Sequence, residues 1–433
     1  MDPSNAKWWL TASDQDIQGW FRNDHIDRVA ANMGGYWPEM PQRVIACGDI
    51  HGDFRVCLEI LHRAGLIESL ENPNWTGGNT WFVQCGDILD RRARNSKEPL
   101  AINQPANRDE GNELRIMGLL AILADQARAQ GGNVLAVLGN HEWWNIGLFD
   151  FSYTTPKSRN TFLRKENNHS VALKRRAEAF APGSWLATWI GRNRYWMVQI
   201  GSWVFVHGSF FGHPENIHSM VRRQQILVDV TGKVADQTRA NFELALRKYL
   251  FGEQISRGEN ELLVRLFTFV TEDRTYGFSR EEHLQTQEKI LQHYRRSVEH
   301  TVLSKTDLQE LTNRENAYRP IRCTRLSQSL QYFNANFLVV AHTPHREIQS
   351  DCDGHLWRID LGMSEAFSRA MAPPRFLGYL EITPSGVQPQ QFSQQNIQPQ
   401  LTPQPAMSLK RGRNNKQNNR NQHPASSIPR LVG

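Results

Sequence analysis

Five short stretches of this chain join an apolar run to a side chain able to bind a metal. Arg43-Val44-Ile45-Ala46-Cys47 runs into Gly48-Asp49-Ile50-His51-Gly52-Asp53, and Trp81-Phe82-Val83-Gln84-Cys85 into Gly86-Asp87-Ile88-Leu89-Asp90-Arg91-Arg92. Asn133 to Leu138 ends in Gly139-Asn140-His141-Glu142, Trp203 to Val206 in His207-Gly208, and Phe337 to Ala341 in His342-Thr343-Pro344-His345. Each run reads as a buried strand, which puts the polar residue at its carboxyl end, where open α/β sheets place ligands. One strand-end histidine is ordinarily a hydrogen-bonded structural residue. Several such ends carrying carboxylate, imidazole and amide together point to a shared ion site. In Asp49-x-His51 two side chains of an extended segment face the same side. Carboxylate with imidazole suits Mn, Fe or Zn, and the absence of cysteine ligands argues against a structural zinc. Beside Asp87 stand a second acid, Asp90, and Arg91, whose planar fork suits phosphate.

The elements that must position these residues alternate. Apolar residues at Phe54, Leu58, Leu61 and Ala64, closed by Gly65, predict a short amphipathic helix, and Leu114 to Ala129 a second one stopped by Gly131-Gly132. Strand, ligand-rich loop, helix, strand is the βαβ pattern of an α/β fold. Residues 1–42 read as a tryptophan-rich lead-in packed on the body, with Asn32 to Pro41 a loop. Residues 93–112 read as a surface loop, and 143–200 as an insertion with a helix near 166–180. Helical patterns dominate 215–330, notably 233–251 and 281–300, and short strands are expected at 355–360 and 376–382. The Trp143-Trp144 pair is expected in the core rather than along a substrate groove. His213, His218, His293 and His345 read as surface or capping residues, and Ser209 lacks the base that would make it a nucleophile.

Composition sets bounds. The net charge of +6 comes from Lys410, Arg411, Arg413, Lys416, Arg420 and Arg430, because residues 384–433 contain no acid and residues 1–383 are formally neutral. This Pro/Gln/Asn-rich stretch cannot bury enough apolar surface to offset its ordering entropy, so a disordered basic tail is expected. Lys410-Arg411-Gly412-Arg413 offers a weak nucleic-acid contact or a nuclear address. No run reaches the length of a membrane span, and Met1-Asp2-Pro3-Ser4-Asn5 lacks signal-peptide features. The five cysteines are odd in number and without CxxC spacing. They predict neither a disulfide framework nor a zinc ribbon, and a reducing, cytoplasmic setting. Cys47 and Cys85 end apolar runs and are expected to be buried as small hydrophobes.

Together, GDIHGD, GDILDRR, GNHE, the strand-end His-Gly and the late strand-end His resemble the calcineurin-like metallophosphoesterases, in the phosphoprotein phosphatase branch. The pattern is most similar to the Shewanella-like, bacterial-type protein phosphatases. Phe149-Asp150-Phe151-Ser152-Tyr153, Ala181-Pro182-Gly183, Leu311-Thr312-Asn313-Arg314 and Arg358-Ile359-Asp360-Leu361-Gly362-Met363-Ser364 agree with that subgroup. The resemblance implies a central β-sandwich flanked by helices over a catalytic domain at 43–383. It also implies two divalent transition-metal ions, Mn first, with Fe or Zn as alternatives. Asp49, His51 and Asp87 would hold one ion, and Asp87 would bridge to a second held by Asn140, His207 and His342. Two such ions, about 3.5–4 Å apart, clamp phosphate and generate hydroxide near neutral pH for in-line attack. Arg91, Asn140 and Arg314 would grip phosphate oxygens, and His141, oriented by Asp90, would protonate the leaving oxygen. The implied substrate is a phosphoprotein at Ser/Thr or Tyr. A small phosphoester such as a dinucleoside polyphosphate is the alternative, and an idle phosphopeptide- or RNA-binding protein the remaining one. The chain departs from the family pattern at Arg92, where glycine is usual, and at Ser209, and it lacks the Ser-Ala-Pro-Asn-Tyr segment of toxin-sensitive members.

Overall fold

The computed structural model describes residues 2–92, 111–148, 151–163, 169–208, 233–259, 263, 323–324, 326–368 and 375–394. Arg314, Ser209, His213, His218 and His293, the helix expected at 281–300 and the basic tail lie outside them. Helices α1 (Trp8–Thr11), α2 (Asp14–Asn23), α3 (Phe54–Arg63), α4 (Glu113–Arg128), α5 (Asn140–Trp143), α6 (Pro156–Asn160), α7 (His169–Phe180), α8 (Trp185–Asn193) and α9 (Lys233–Leu250) surround two sheets. The strands are β1 (Tyr36–Trp37), β2 (Val44–Cys47), β3 (Trp81–Gln84), β4 (Asn133–Ala136), β5 (Val198–Ile200), β6 (Trp203–Phe205), β7 (Phe337–Val340), β8 (Gln349–Asp351), β9 (Leu356–Arg358), β10 (Phe376–Thr383) and β11 (Gly386–Ser393).

One sheet has the order β1-β5-β6-β7-β9-β8 and the other β11-β10-β2-β3-β4. β2, β3 and β4 run parallel, with Val44 opposite Trp81 and Trp81 opposite Asn133, and β6 is parallel to β7. All five strands are buried runs of apolar and β-branched residues, the composition that parallel sheets covered on both faces require. Parallel neighbours end together, so each sheet delivers its polar loops at one edge. The mixed α/β fold with two sheets flanked by helices is therefore as expected.

The lead-in has its own order. Ser13 and Asp16 form a capping box that starts α2. Trp9 is fully buried, and a Cβ at Gly118 of α4 would meet its indole at 2.1 Å, so only glycine admits that ring.

Three expectations need correction. The polar stretch after residue 383 is not tail from its start. Thr383↔Gly386 to Phe376↔Ser393 pair along a hairpin, because backbone bonds to β10 satisfy β11 whatever its side chains, while Val387 and Phe392 pack on the core. Pro389 is tolerated because β11 is an edge strand. Cys323 and Cys352 form a disulfide across 29 residues of sequence. The turn after β8 brings them together, which spacing could not reveal, and the cysteine argument for a reducing setting falls with it. Cys47, Cys57 and Cys85 are free and buried, in keeping with small hydrophobes. The third correction is to the loop at Asn32 to Pro41 and the insertion at 143–200, which hold the strands β1 and β5, too short to give a periodic signal. Among the described residues, no helix is long and apolar enough to cross a membrane.

Candidate metal centre

Five strand-end loops, three from one sheet and two from the other, bring their polar residues to one place. Asp49 follows β2, Asp87 follows β3, Asn140 begins α5 after β4, His207 follows β6 and His342 follows β7. All but His342 are at most 2% exposed. His51 Nδ1 bonds to the Leu89 carbonyl at 2.8 Å, which turns Nε2 toward Asp49 Oδ2 at 3.5 Å and Asp87 Oδ2 at 3.8 Å. His207 Nδ1 bonds likewise to the Cys85 carbonyl at 2.8 Å, leaving Nε2 facing Asp87 Oδ2 at 3.2 Å, Asn140 Oδ1 at 2.8 Å and His342 Nδ1 at 3.1 Å. A ring nitrogen tied to a carbonyl while the other faces carboxylates is the arrangement by which proteins orient metal-binding histidines. Two groups able to hold an ion result, His51/Asp87/His141 and Asp87/His207/His342, with Asp87 in both.

The backbone is forced to make this geometry. His51, Asp87, Asp90 and His342 all have φ between 44° and 69°, the left-handed region that costs L-residues roughly 1–3 kcal/mol each. Glu142 holds the tightest of these loops. Its carboxylate accepts the Asp87 and Gly139 N–H groups through Oε2, and the Ile88 and Leu89 N–H groups through Oε1. A Cβ on Gly86 would lie 2.6 Å from His207 Nδ1, and one on Gly139 2.1 Å from Asp87 Oδ1, so the glycines before both ligands are steric requirements.

The donor set fits cations. Asp49 Oδ2 is buried without a hydrogen-bond partner, so one carboxylate oxygen at the centre awaits a positive charge. Burial pushes the Asp49 carboxyl well above the usual range, partly opposed by His207. Burial acts the same way on Asp87, but His207, His141 and His51 outweigh it and hold that carboxyl well below the usual range. Burial also works against charge on His207, yet Asp87 and Asp49 raise it to about 10. His342 goes the other way, to about 3, through burial and repulsion by His207. The shifts thus favour a positively charged His207 beside an ionised Asp87, a role that a divalent ion would take over.

Beside the ions' place lies a second unit. His141 Nδ1 bonds to Asp90 Oδ2 at 2.9 Å, its Nε2 faces Asp87 Oδ2 at 3.8 Å, and its backbone N–H donates to Asp87 Oδ1 at 2.9 Å. Asp90 also accepts from Asn145 Nδ2 at 2.9 Å and from Arg176 Nη2 at 3.3 Å. Arg176, wholly buried, further donates to Glu113 Oε2 at 2.7 Å and Asn145 Oδ1 at 2.8 Å, and Glu113 Oε1 accepts the Asp90 N–H at 2.8 Å. Sequence reasoning missed Arg176, Glu113 and Asn145, and gave Glu142 no role. Arg91 is buried, with Nη1 3.0 Å from Asp53 Oδ2 and 3.3 Å from the Gly52 carbonyl. His345 is half-buried, with its Nε2 buried and without a hydrogen-bond partner, and burial lowers it to about 4. Trp143 is buried as expected, but Trp144 is only half-buried and lies against His141.

The family model for the calcineurin-like phosphoesterases matches residues 42–346, a span that holds every residue of this centre. The chain belongs to the calcineurin-like phosphoesterase family. It is similar to Shewanella-like protein phosphatase 2 of Arabidopsis thaliana, 40% identical over 124 residues, which are 29% of this chain and 26% of that protein. The aligned stretch thus spans about a quarter of the Arabidopsis protein. Shewanella-like protein phosphatase 1 of Plasmodium berghei (strain Anka) is 24% identical over 337 residues, covering 77% of this chain and 71% of that one. Among solved structures, a cold-active protein tyrosine phosphatase matches with a TM-score of 0.49 and 17% identity, over 84% of this chain and 82% of that chain.

Proposed function

We propose that the chain is a two-metal phosphomonoesterase acting on phosphoproteins at Ser/Thr or Tyr. The observation that carries it is Asp87, shared between two ligand groups and adjacent to a histidine–carboxylate pair. Asp49, His51 and Asp87 would hold one ion, and Asp87, Asn140, His207 and His342 the other. When bound, such a pair supplies Lewis acidity and a hydroxide nucleophile near neutral pH. Mn is the expected metal. The protein's own work is to hold that pair at fixed spacing, to grip the phosphoryl oxygens and to deliver a proton. Asp90 keeps the His141 ring oriented, and Nε2 donates to the leaving oxygen. Arg91, whose Nη1 faces Asp53 and the Gly52 carbonyl, is assigned to phosphate binding through its planar guanidinium; Asn140 and Arg314 are assigned to the same task. The similarity to two Shewanella-like protein phosphatases supports a phosphoprotein substrate. The catalytic body then runs from the lead-in through β11, followed by a basic tail.

The test is a metal-reconstituted panel of phosphopeptides, p-nitrophenyl phosphate, a bis-aryl phosphate and dinucleoside polyphosphates. Hydrolysis of monoesters that stops on chelation is expected. Preference for the diester or the dinucleotide would overturn the phosphomonoesterase reading.

A further inference from the structure

Two aromatic rings flank His141. Trp144 lies 4.5 Å from it, centroid to centroid, and Tyr153 5.1 Å, and the two stack on each other at 5.3 Å with 26° between their planes. His141 is buried, whereas Trp144 and Tyr153 are half-buried, so of the three rings these two are reachable from solvent. Trp144 is fixed by the helical turn that follows α5. Tyr153 belongs to an irregular segment and is tied from outside it. The Arg92 backbone N–H donates to the Tyr153 carbonyl at 2.9 Å, and its Nη1 donates to the Ser152 carbonyl at 2.5 Å. Adjacent arginines therefore part company: Arg91 turns to Gly52 and Asp53, Arg92 to the tyrosine segment.

We infer that Arg92 is a positioning residue that fastens Tyr153 against Trp144, and that the ring pair selects esters whose leaving group is an aromatic alcohol. This rests on the reading of His141 as the proton donor above. In an aryl phosphate the ring is bonded directly to the oxygen that receives the proton, so it arrives at the rings that flank the donor. Aromatic pairs with centroids about 4.5–7 Å apart attract beyond their burial. An alkyl leaving group has no π face to offer, so the pair discriminates by up to roughly tenfold. The rival role for Arg92, a second phosphate clamp, would act on every ester alike, because all carry the same phosphoryl group.

The experiment compares kcat and KM for phenyl phosphate and butyl phosphate, with inhibition by inorganic phosphate, in the metal-reconstituted full chain and in R92G, R92K, W144A and W144F. W144A is expected to lower the phenyl-to-butyl ratio of kcat/KM on the order of tenfold, mainly through KM, and R92G, which keeps the backbone bond to Tyr153 and loses only the side-chain bond to Ser152, by several-fold. R92K, which still reaches one carbonyl, recovers part of the ratio, and W144F, which keeps a ring, retains most of it. Equal losses on both esters with weaker phosphate inhibition would overturn the inference in favour of a clamp. An unchanged ratio would show that the rings do not meet the leaving group. Hydrolysis of neither ester by the unaltered protein would overturn the reading beneath, and this one with it.

Discussion

The two sides of His141 are built differently. On the side of the candidate ligands, each side chain sits within four residues of a buried strand or opens the next helix, so two sheets fix the positions almost by themselves. On the other side, the support of Asp90 comes from Glu113 at the start of α4, Asn145 beyond α5 and Arg176 in the middle of α7. The first side is a product of local sequence, and the second of tertiary packing. The cluster of candidate ligands is thus set locally, while the surroundings of His141 are set by residues far along the chain.

That contrast can be broken from either side. The largest expected effect is His141→Ala. Loss of a positioned acid costs on the order of 10²–10⁴ in rate, and the loss should grow with the basicity of the leaving group. Phosphoserine should suffer most, phosphotyrosine less and p-nitrophenyl phosphate least. His141 Nε2 also faces Asp87, and a ligating histidine would present the same Asp90 contact, so metal content decides its role. A variant that keeps both ions marks a proton donor, and one that loses an ion marks a ligand.

Arg176→Met tests the support. Asp90 and Glu113 would be left as buried acids without their shared cation, and breaking a buried pair costs about 3–5 kcal/mol. Thermal unfolding of the metal-free protein reads this directly. A loss below about 1 kcal/mol would show that Arg176 is not what holds the unit.

The ligand side should respond to pH. His207, raised to about 10 by Asp87 and Asp49, must lose its proton to bind an ion. Metal affinity should therefore rise as pH rises, by about tenfold per unit below that value, and titration calorimetry from pH 6 to about pH 9 would show it. A raised folded-state value also means that its stabilisation of the metal-free protein is complete below about 6.5 and fades as pH climbs to 10. A flat affinity profile would mean that His207 enters the site already neutral.

The smallest effect concerns the chain end. Truncation after Gln394 should leave the rate on p-nitrophenyl phosphate as it is, whereas truncation after Thr383 removes β11 and should lower the melting temperature. Equal behaviour of the two would show that the hairpin adds nothing.

How much was legible follows the same division. Val44–Cys47, Trp81–Gln84 and Phe337–Val340 announce themselves as apolar runs, and Asp49, Asp87 and His342 stand just past them. The convergence of these side chains and the α/β class could be read because strand period, glycine and polar residue lie within a few residues. Arg176 could not, since it stands 86 residues from Asp90 and sits in an ordinary helical pattern. Glu142 was visible in its motif, but its four N–H contacts exist only in the folded loop. β11 was hidden by composition, because Gln-rich sequence reads as tail and its pairing is a property of the backbone. Trp144 was taken for core because the chain turns it toward His141 only after α5 forms.

The most direct test of the central claim is a metal count on the purified chain and on Asp87→Asn, by elemental analysis after reconstitution with Mn and removal of unbound ion. Two ions per chain are predicted for the unaltered protein. Both should be weakened by the single substitution, because one carboxylate serves both, and hydrolysis of p-nitrophenyl phosphate should fall to background. One ion in the unaltered protein, an Asp87→Asn variant that keeps both, or full hydrolysis without metal would contradict the account.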